Sequence, residues 1–378
     1  MPKLDLTRAL RIKGHGGELA ALAGDGFSWR PSLAPLFRND EAGIWVDPSD
    51  PEGCFTTSTG STLAGPGDPV GRILDKSGND KHPTQATAAA RPIRGRHPEG
   101  GRRNKLIRTE EFDNAAWFKN EEATIAITTL TGPNGVLLWK YAAGMSSDFQ
   151  RIWQNVVNRS GNHTFQFVVK AAEYAHFHVR SGLSGTNRSV AWNLTTGEIT
   201  FAHSFYTNPF IEPLGDGHYL VGATMDIVAN SSLFFQFQPT AQENNTISQF
   251  AGDGSSGGLV SSPQLEPGSV ATPYQRVGNQ HDVTEEGKRD VWYARAAATQ
   301  FLRASLPDLG SDATIAYVRP NQAPVIHTGQ TIGAGNFDIG PGADLDIDEF
   351  AALVIIDRAL TAGETGFLTG YLNHKGGN

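Results

Sequence analysis

Turn-forming residues recur so often along this chain that long helices have almost no room in it. Glycine occurs 43 times and proline 21 times in 378 residues, and in a helix interior these cost about 1 and 3 kcal/mol relative to alanine. What survives between them is alternation with a period of two. Thr124-Ile125-Ala126-Ile127-Thr128 alternates, and Phe149 to Val157 sets Phe149, Arg151, Trp153 and Asn155 on one side against Ile152, Gln154 and Val156 on the other. His176-Phe177-His178-Val179-Arg180 places both histidines and Arg180 on one face, with Phe177 and Val179 on the opposite, core-facing one. Strands of this kind restart roughly every 10–15 residues between Lys105 and Arg276. The predicted fold is therefore all-β, built of antiparallel β-sandwiches.

The length exceeds the ~100–200 residues of an ordinary domain, so more than one core is expected. Residues 1–40, with Gly14, Gly16, Gly17, Gly24 and Gly26 ahead of Trp29-Arg30-Pro31, sustain no alternation. They read as an extended anchoring arm whose order would come from docking on another subunit. Residues 41–104 open with the short strand Gly43 to Val46, which Pro48 must stop because it lacks the ladder N–H. Residues 105–276 form the central strand-rich domain, including a hairpin from Val190–Leu194 to Glu198–Phe201 across Thr195-Thr196-Gly197. Residues 277–378 restart the strand pattern at Val291 and end in one helix, Thr361 to Leu372, with Thr361 as cap and Glu364 at the capping-box position.

A net charge of −8 offers no basic face for a phosphate backbone, which argues against general nucleic-acid binding. The single cysteine, Cys54, can form neither an intrachain disulfide nor a Cys-rich zinc site. The start, Met-Pro-Lys-Leu-Asp-Leu-Thr-Arg, has no apolar run with a cleavage site, and nowhere do ~20 consecutive apolar residues occur. The expectation is synthesis in a bacterial cytoplasm without Sec export or membrane insertion, and release as part of an assembled particle.

Three phrases carry a resemblance. They are Val70 to His82 with Thr84 to Pro92, Leu106 to Trp117 with its Phe-Asp-Asn-Ala-Ala-Trp ending, and Pro263 to Tyr274 with its Gln-Leu-Glu-Pro-Gly-Ser core. In these the chain resembles the tail, head-fibre and spike subunits of phages, and the head spikes of gene transfer agents, the phage-derived DNA-carrying particles. The resemblance implies a carbohydrate-binding jelly roll over 105–276, inserted in or next to a laminin-G or concanavalin-like sandwich made of 41–104 and 277–378. It also implies a non-enzymatic virion-surface protein that binds a cell-surface (capsular) polysaccharide. Residues 1–40 would meet capsid, portal or tail proteins, and the subunit would be a homo-oligomer.

Saccharides present apolar C–H faces and a rim of hydroxyls, which aromatic platforms together with Arg, His, Asn and Gln can match. Trp153, Gln154, His176, His178, Arg180, Trp192 and Gln236 are the candidates for that role; for Trp153 and Trp192 the competing role is core packing. The alternating carboxylates Asp344, Asp346 and Asp348 are the sharpest catalytic candidate, since retaining glycosidases need paired carboxyls. Aspartate at both outer positions counts against hydrolysis. No catalytic residue and no cofactor are expected, although these carboxylates, or Asp75, Asn79 and Asp80, have the oxygen chemistry of a structural Ca²⁺ site. A purely structural virion subunit and a polysaccharide depolymerase are the alternative functions.

Overall fold

A computed structural model describes residues 17–19, 29–120, 122–182, 188–241, 243 and 249–378. The chain leaves one unit, builds a second, and returns: residues 1–101 and 288–378 form the first, and 102–287 the second. Among the described residues strands dominate, pairing antiparallel almost throughout, with a single α-helix. No described helix is long and apolar enough to cross a membrane.

In the first unit a four-stranded sheet runs in the order Val325–Ile332, Gly310–Val318, Ala352–Ile356, Gly43–Val46. Its inner strand Ala352–Ile356 is buried on both faces, which explains why it is apolar throughout instead of alternating. Ile44, Val46, Ile315, Leu353 and Ile355 enter a core shared with Leu302, Ala304, Phe337 and Ile339 of a facing three-stranded sheet. Trp45, Ala316, Val318, Val354 and Ile356 face the other way, onto Leu368, Tyr371 and Leu372 of the helix.

That helix spans Ala362–Gly376 and starts at the expected cap. The Thr361 hydroxyl accepts from the Glu364 N–H while the Glu364 carboxylate accepts from the Thr361 N–H, and Gly377 ends the helix at φ 86°. Its Tyr371 hydroxyl donates to Asp47 and accepts from the Trp45 indole N–H, both buried, and Lys375 pairs with the same Asp47 carboxylate at 2.7 Å. Leu33, Leu36 and Phe37 also belong to this second core. The end of the 1–40 segment is therefore packed into its own unit, because its apolar spacing around the turn Ala34–Phe37 suits the helix-side core. Most of the remaining segment, residues 1–16 and 20–28, lies outside the described residues.

The second unit holds strands β1 (Phe118–Lys119), β2 (Thr124–Thr131), β3 (Leu137–Ala142), β4 (Ile152–Ala171), β5 (His176–Gly182), β6 (Ser189–Asn193), β7 (Glu198–Ala202), β8 (Tyr206–Gly215), β9 (His218–Thr240) and β10 (Gly257–Pro267). The long antiparallel pair β4 and β9 is its spine. Two register shifts, between Val156 and Arg159 and between Arg159 and Gly161, divide that pair into two stretches. The first stretch of β4 and the last of β9 carry β1, β5, β6 and β7; the remaining stretches carry β8, β10, β3 and β2.

The two resulting sheets face one another across an aromatic core. Phe165 and Phe167, from the second sheet, meet Phe235 at 5.3 and 5.6 Å between ring centroids, and Phe167 meets Phe177 and Phe237 at 5.5 and 5.2 Å. Phe112 and Trp117 of the Phe-Asp-Asn-Ala-Ala-Trp phrase are both fully buried and pack on Phe237. The unit closes on itself where the chain enters and leaves. Asn104 donates to the carbonyls of Pro263 and Gln275, and the Arg103 guanidinium bridges Glu266 and Glu285 at 3.3 and 2.5 Å.

Candidate functional site

The outer face of the first sheet is polar, and strand register dictates its composition. Gln236 of β9 lies opposite Trp153 on β4 and opposite Arg180 on β5, while Trp153 in turn lies opposite Phe118 on β1. One row thus reads Arg180, Gln236, Trp153, Phe118. The next row pairs His178 with Gln238, and the next His176 with Thr240. Trp153, His176, His178, Arg180 and Gln236 are therefore brought together on one face.

At the edge of this face the Phe118 and Trp153 rings stack, with centroids 5.6 Å apart and planes 22° from parallel. Phe118 is 46% exposed. The Arg151 guanidinium sits between two rings, 5.0 Å from the Trp153 centroid and 4.9 Å from that of Phe149, and donates to the Gln236 side-chain oxygen at 2.8 Å. Burial, and then the neighbouring positive charge of Arg180, hold the Arg151 pKa below its ordinary value. Arg151 Nε and His176 Nδ1 are buried without a protein partner among the described residues. Ring faces and guanidinium groups thus stand side by side, half open to solvent, over a floor of buried Gln236, Gln238 and His178.

Two of the sequence candidates are corrected. Trp192 is fully buried on the core side of β6, 6.3 Å edge-on to Phe165, and its indole N–H donates to the Phe210 carbonyl at 2.9 Å. It packs the sandwich interior because its register partner on β5 is the inward Phe177. Gln154 points away from its neighbour Trp153, and both ends of its amide are held by the Ile107 backbone, at 2.6 and 3.2 Å. Neither can meet a ligand on this face. His178 and Gln236 lie on the correct face but are 0% and 3% exposed, so they support the accessible groups from below. Phe118 was missed because two residues of strand leave no periodicity to read.

The acidic candidates are held in structural roles. Asp344, Asp346 and Asp348 are exposed, in alternation with buried Leu345 and Ile347. Asp344 accepts from the Asp338 N–H, Asp346 from the Gly342 N–H, and Asp348 pairs with Arg319. The Asp75 carboxylate accepts from the N–H groups of Trp45, Ser77 and Lys81, and the Asn79 amide donates to the carbonyls of Glu41 and Gly43. The Asp75 and Asn79 contacts staple a loop, and those of Asp75 occupy both of its carboxylate oxygens. Among the described residues no group of three or more His, Cys, Asp or Glu is placed to hold a metal ion.

No protein-family model matches the chain, and a search of curated proteins finds no match.

Proposed function

We propose that this protein is a surface spike or fibre subunit of a phage-like particle, such as a gene transfer agent head spike, and that its second unit is a jelly-roll module binding host cell-surface polysaccharide. The observation that carries this reading is the stacked Phe118–Trp153 pair flanked by Arg151 and Arg180 on an open sheet face. Stacked rings offer a flat apolar platform for the C–H face of a sugar ring, and the guanidinium groups offer fixed donors for its oxygens. The cationic side chains of Arg151 and Arg180 beside this platform favour a sugar bearing a carboxylate or another acidic group. The site is shallow, and repetition by oligomeric symmetry compensates, because multivalent display can raise avidity by ~10²–10⁴.

The test is retention of capsular polysaccharides from candidate host cells by the purified oligomer, with the eluted sugar sized afterward. Retention of intact acidic polysaccharide, lost in Trp153→Ala and Arg151→Ala, supports the adhesin. No retention by the oligomer overturns it in favour of a purely structural subunit. Shortened sugar overturns it in favour of a depolymerase.

A further inference from the structure

The outer face of the opposite sheet of the second unit carries a cavity of about 780 Å³, a volume within the ~300–1,000 Å³ of small-molecule sites. Its floor is set by register: Thr164 lies opposite Thr224, Gln166 opposite Gly222, and Val168 opposite Leu220 on β4 and β9. Phe210 of β8 pairs with Gly222, and its ring lies 2.4 Å from where a Cβ at that position would sit. Glycine at 222 thus lets an aromatic ring lie down against the sheet. Asn134 and Ser262, joined by a 2.7 Å hydrogen bond, form one margin, and the strand bearing Asn208 and Glu212 forms another.

The remaining wall, Ser269 to Tyr274, is pinned to the sheet from below. Thr164 donates to the Gly268 carbonyl and Thr224 to that of Ser269. Gln166 donates to the Thr272 carbonyl, and the buried Glu266 carboxylate accepts from both the N–H and the hydroxyl of Thr272. A wall held this way is ready before a ligand arrives, so little ordering entropy opposes binding. Backbone strain flanks the cavity as well. Asn208 and Ser262 adopt φ of 49° and 51°, a region few non-glycine residues enter, and each sits where strand register slips. Such strain persists where the surroundings over-determine it, and it concentrates at ligand sites.

We propose that this cavity is a second binding site, separate from the Trp153 face, and that it takes a neutral saccharide. Asn134, Asn208, Ser262 and Ser269 set hydroxyl and amide groups around the apolar surfaces of Val168, Leu220 and Phe210, which suits a ligand that is itself hydroxylated at its edges and apolar on its ring faces. Among the described residues no Lys, Arg or His lines the cavity, and the exposed carboxylate of Glu212 disfavours anions. The two faces of one sandwich thereby divide the work: the first takes an acidic sugar and the second a neutral one.

Titration calorimetry and saturation-transfer NMR of the full chain, with neutral hexasaccharides of glucose, mannose, galactose and N-acetylglucosamine as probes, test this. At least one probe binds the wild type, and Phe210→Ala weakens it about tenfold, as removal of a central anchor does. Val270→Asp, at a rim position 73% exposed and therefore neutral to folding, also weakens it. Trp153→Ala leaves it unchanged. The proposal is overturned if no probe binds at up to about 5 mM, where a Kd near 1 mM would register. It is equally overturned if binding survives both cavity variants, or if Trp153→Ala abolishes it. Loss of acidic-polysaccharide retention bears only on the Trp153 face, so the two readings fail separately.

Discussion

Replacing Trp192 and Trp153 by alanine separates the two roles open to a tryptophan in this sandwich. Trp192 is fully buried among Phe165 and Phe177 and holds the Phe210 carbonyl through its indole N–H. Truncation removes a large core side chain, which costs about 3–5 kcal/mol. It also strips a hydrogen bond from that carbonyl. For a unit of this size each kcal/mol lowers Tm by about 2–4 °C, so Trp192→Ala should lower the transition by roughly 6–20 °C. Trp153 is half-buried, and its removal loses one ring stack and one cation–π contact, together about 1–2 kcal/mol. Scanning calorimetry of both variants, paired with polysaccharide retention below either transition, gives the comparison. Trp153→Ala should retain its fold and lose acidic glycan, whereas Trp192→Ala should lose stability. If Trp192→Ala unfolds no earlier than Trp153→Ala, the assignment of Trp192 to the core is refuted.

The helix cap should give the first unit an acid-sensitive contribution. The Arg358 guanidinium and then the Thr361 N–H hold the Glu364 carboxyl down to about 2 from its ordinary 4.5; its stabilisation is full above 4.5 and is lost as pH falls toward 2. Glu364→Gln should therefore lower Tm at pH 7 and converge on the wild type near pH 2, in melts run across that range. Burial pushes the Cys54 thiol up to about 12, so it should react with a thiol reagent only as fast as the protein unfolds; rapid labelling of folded protein would contradict its placement. Because the Asp75 oxygens are already occupied by N–H groups, Tm should be the same in EDTA and in millimolar CaCl₂; a rise of several degrees with calcium would reveal a bound ion.

Local chemistry was readable where one signal decides one element. The Thr361-x-x-Glu364 box places the helix start, and Thr195-Thr196-Gly197 does close a hairpin, with Gly197 at φ 70° and the Asn193 side chain accepting from Thr195 and Thr196. Alternation placed His176, His178 and Arg180 correctly on a common face. It could not assign Trp192, because Ser189 to Trp192 is buried on both sides and carries no in-out pattern. Nor could it reveal that the pattern from Ile152 to Val169 belongs to one strand, since residues around Gly161 look like a turn while β4 runs through them. The cavity was invisible for a related reason: its floor is assembled from three strands, and Gly222 matters for the side chain it lacks. In the Pro263 to Tyr274 phrase the physical content is Glu266 and Gln264 gripping Thr272, a contact that no local pattern encodes.

The clasp of Arg103 and Asn104 on Pro263, Gln275 and Glu285 has an evolutionary consequence. A segment that begins and ends at one fastening behaves as a cassette: its loops and sheet faces can be replaced, or one whole cassette exchanged for another, while the first and last turns of chain keep the same lock. The inserted unit can then diverge, or be exchanged, with selection on the rest of the chain left undisturbed.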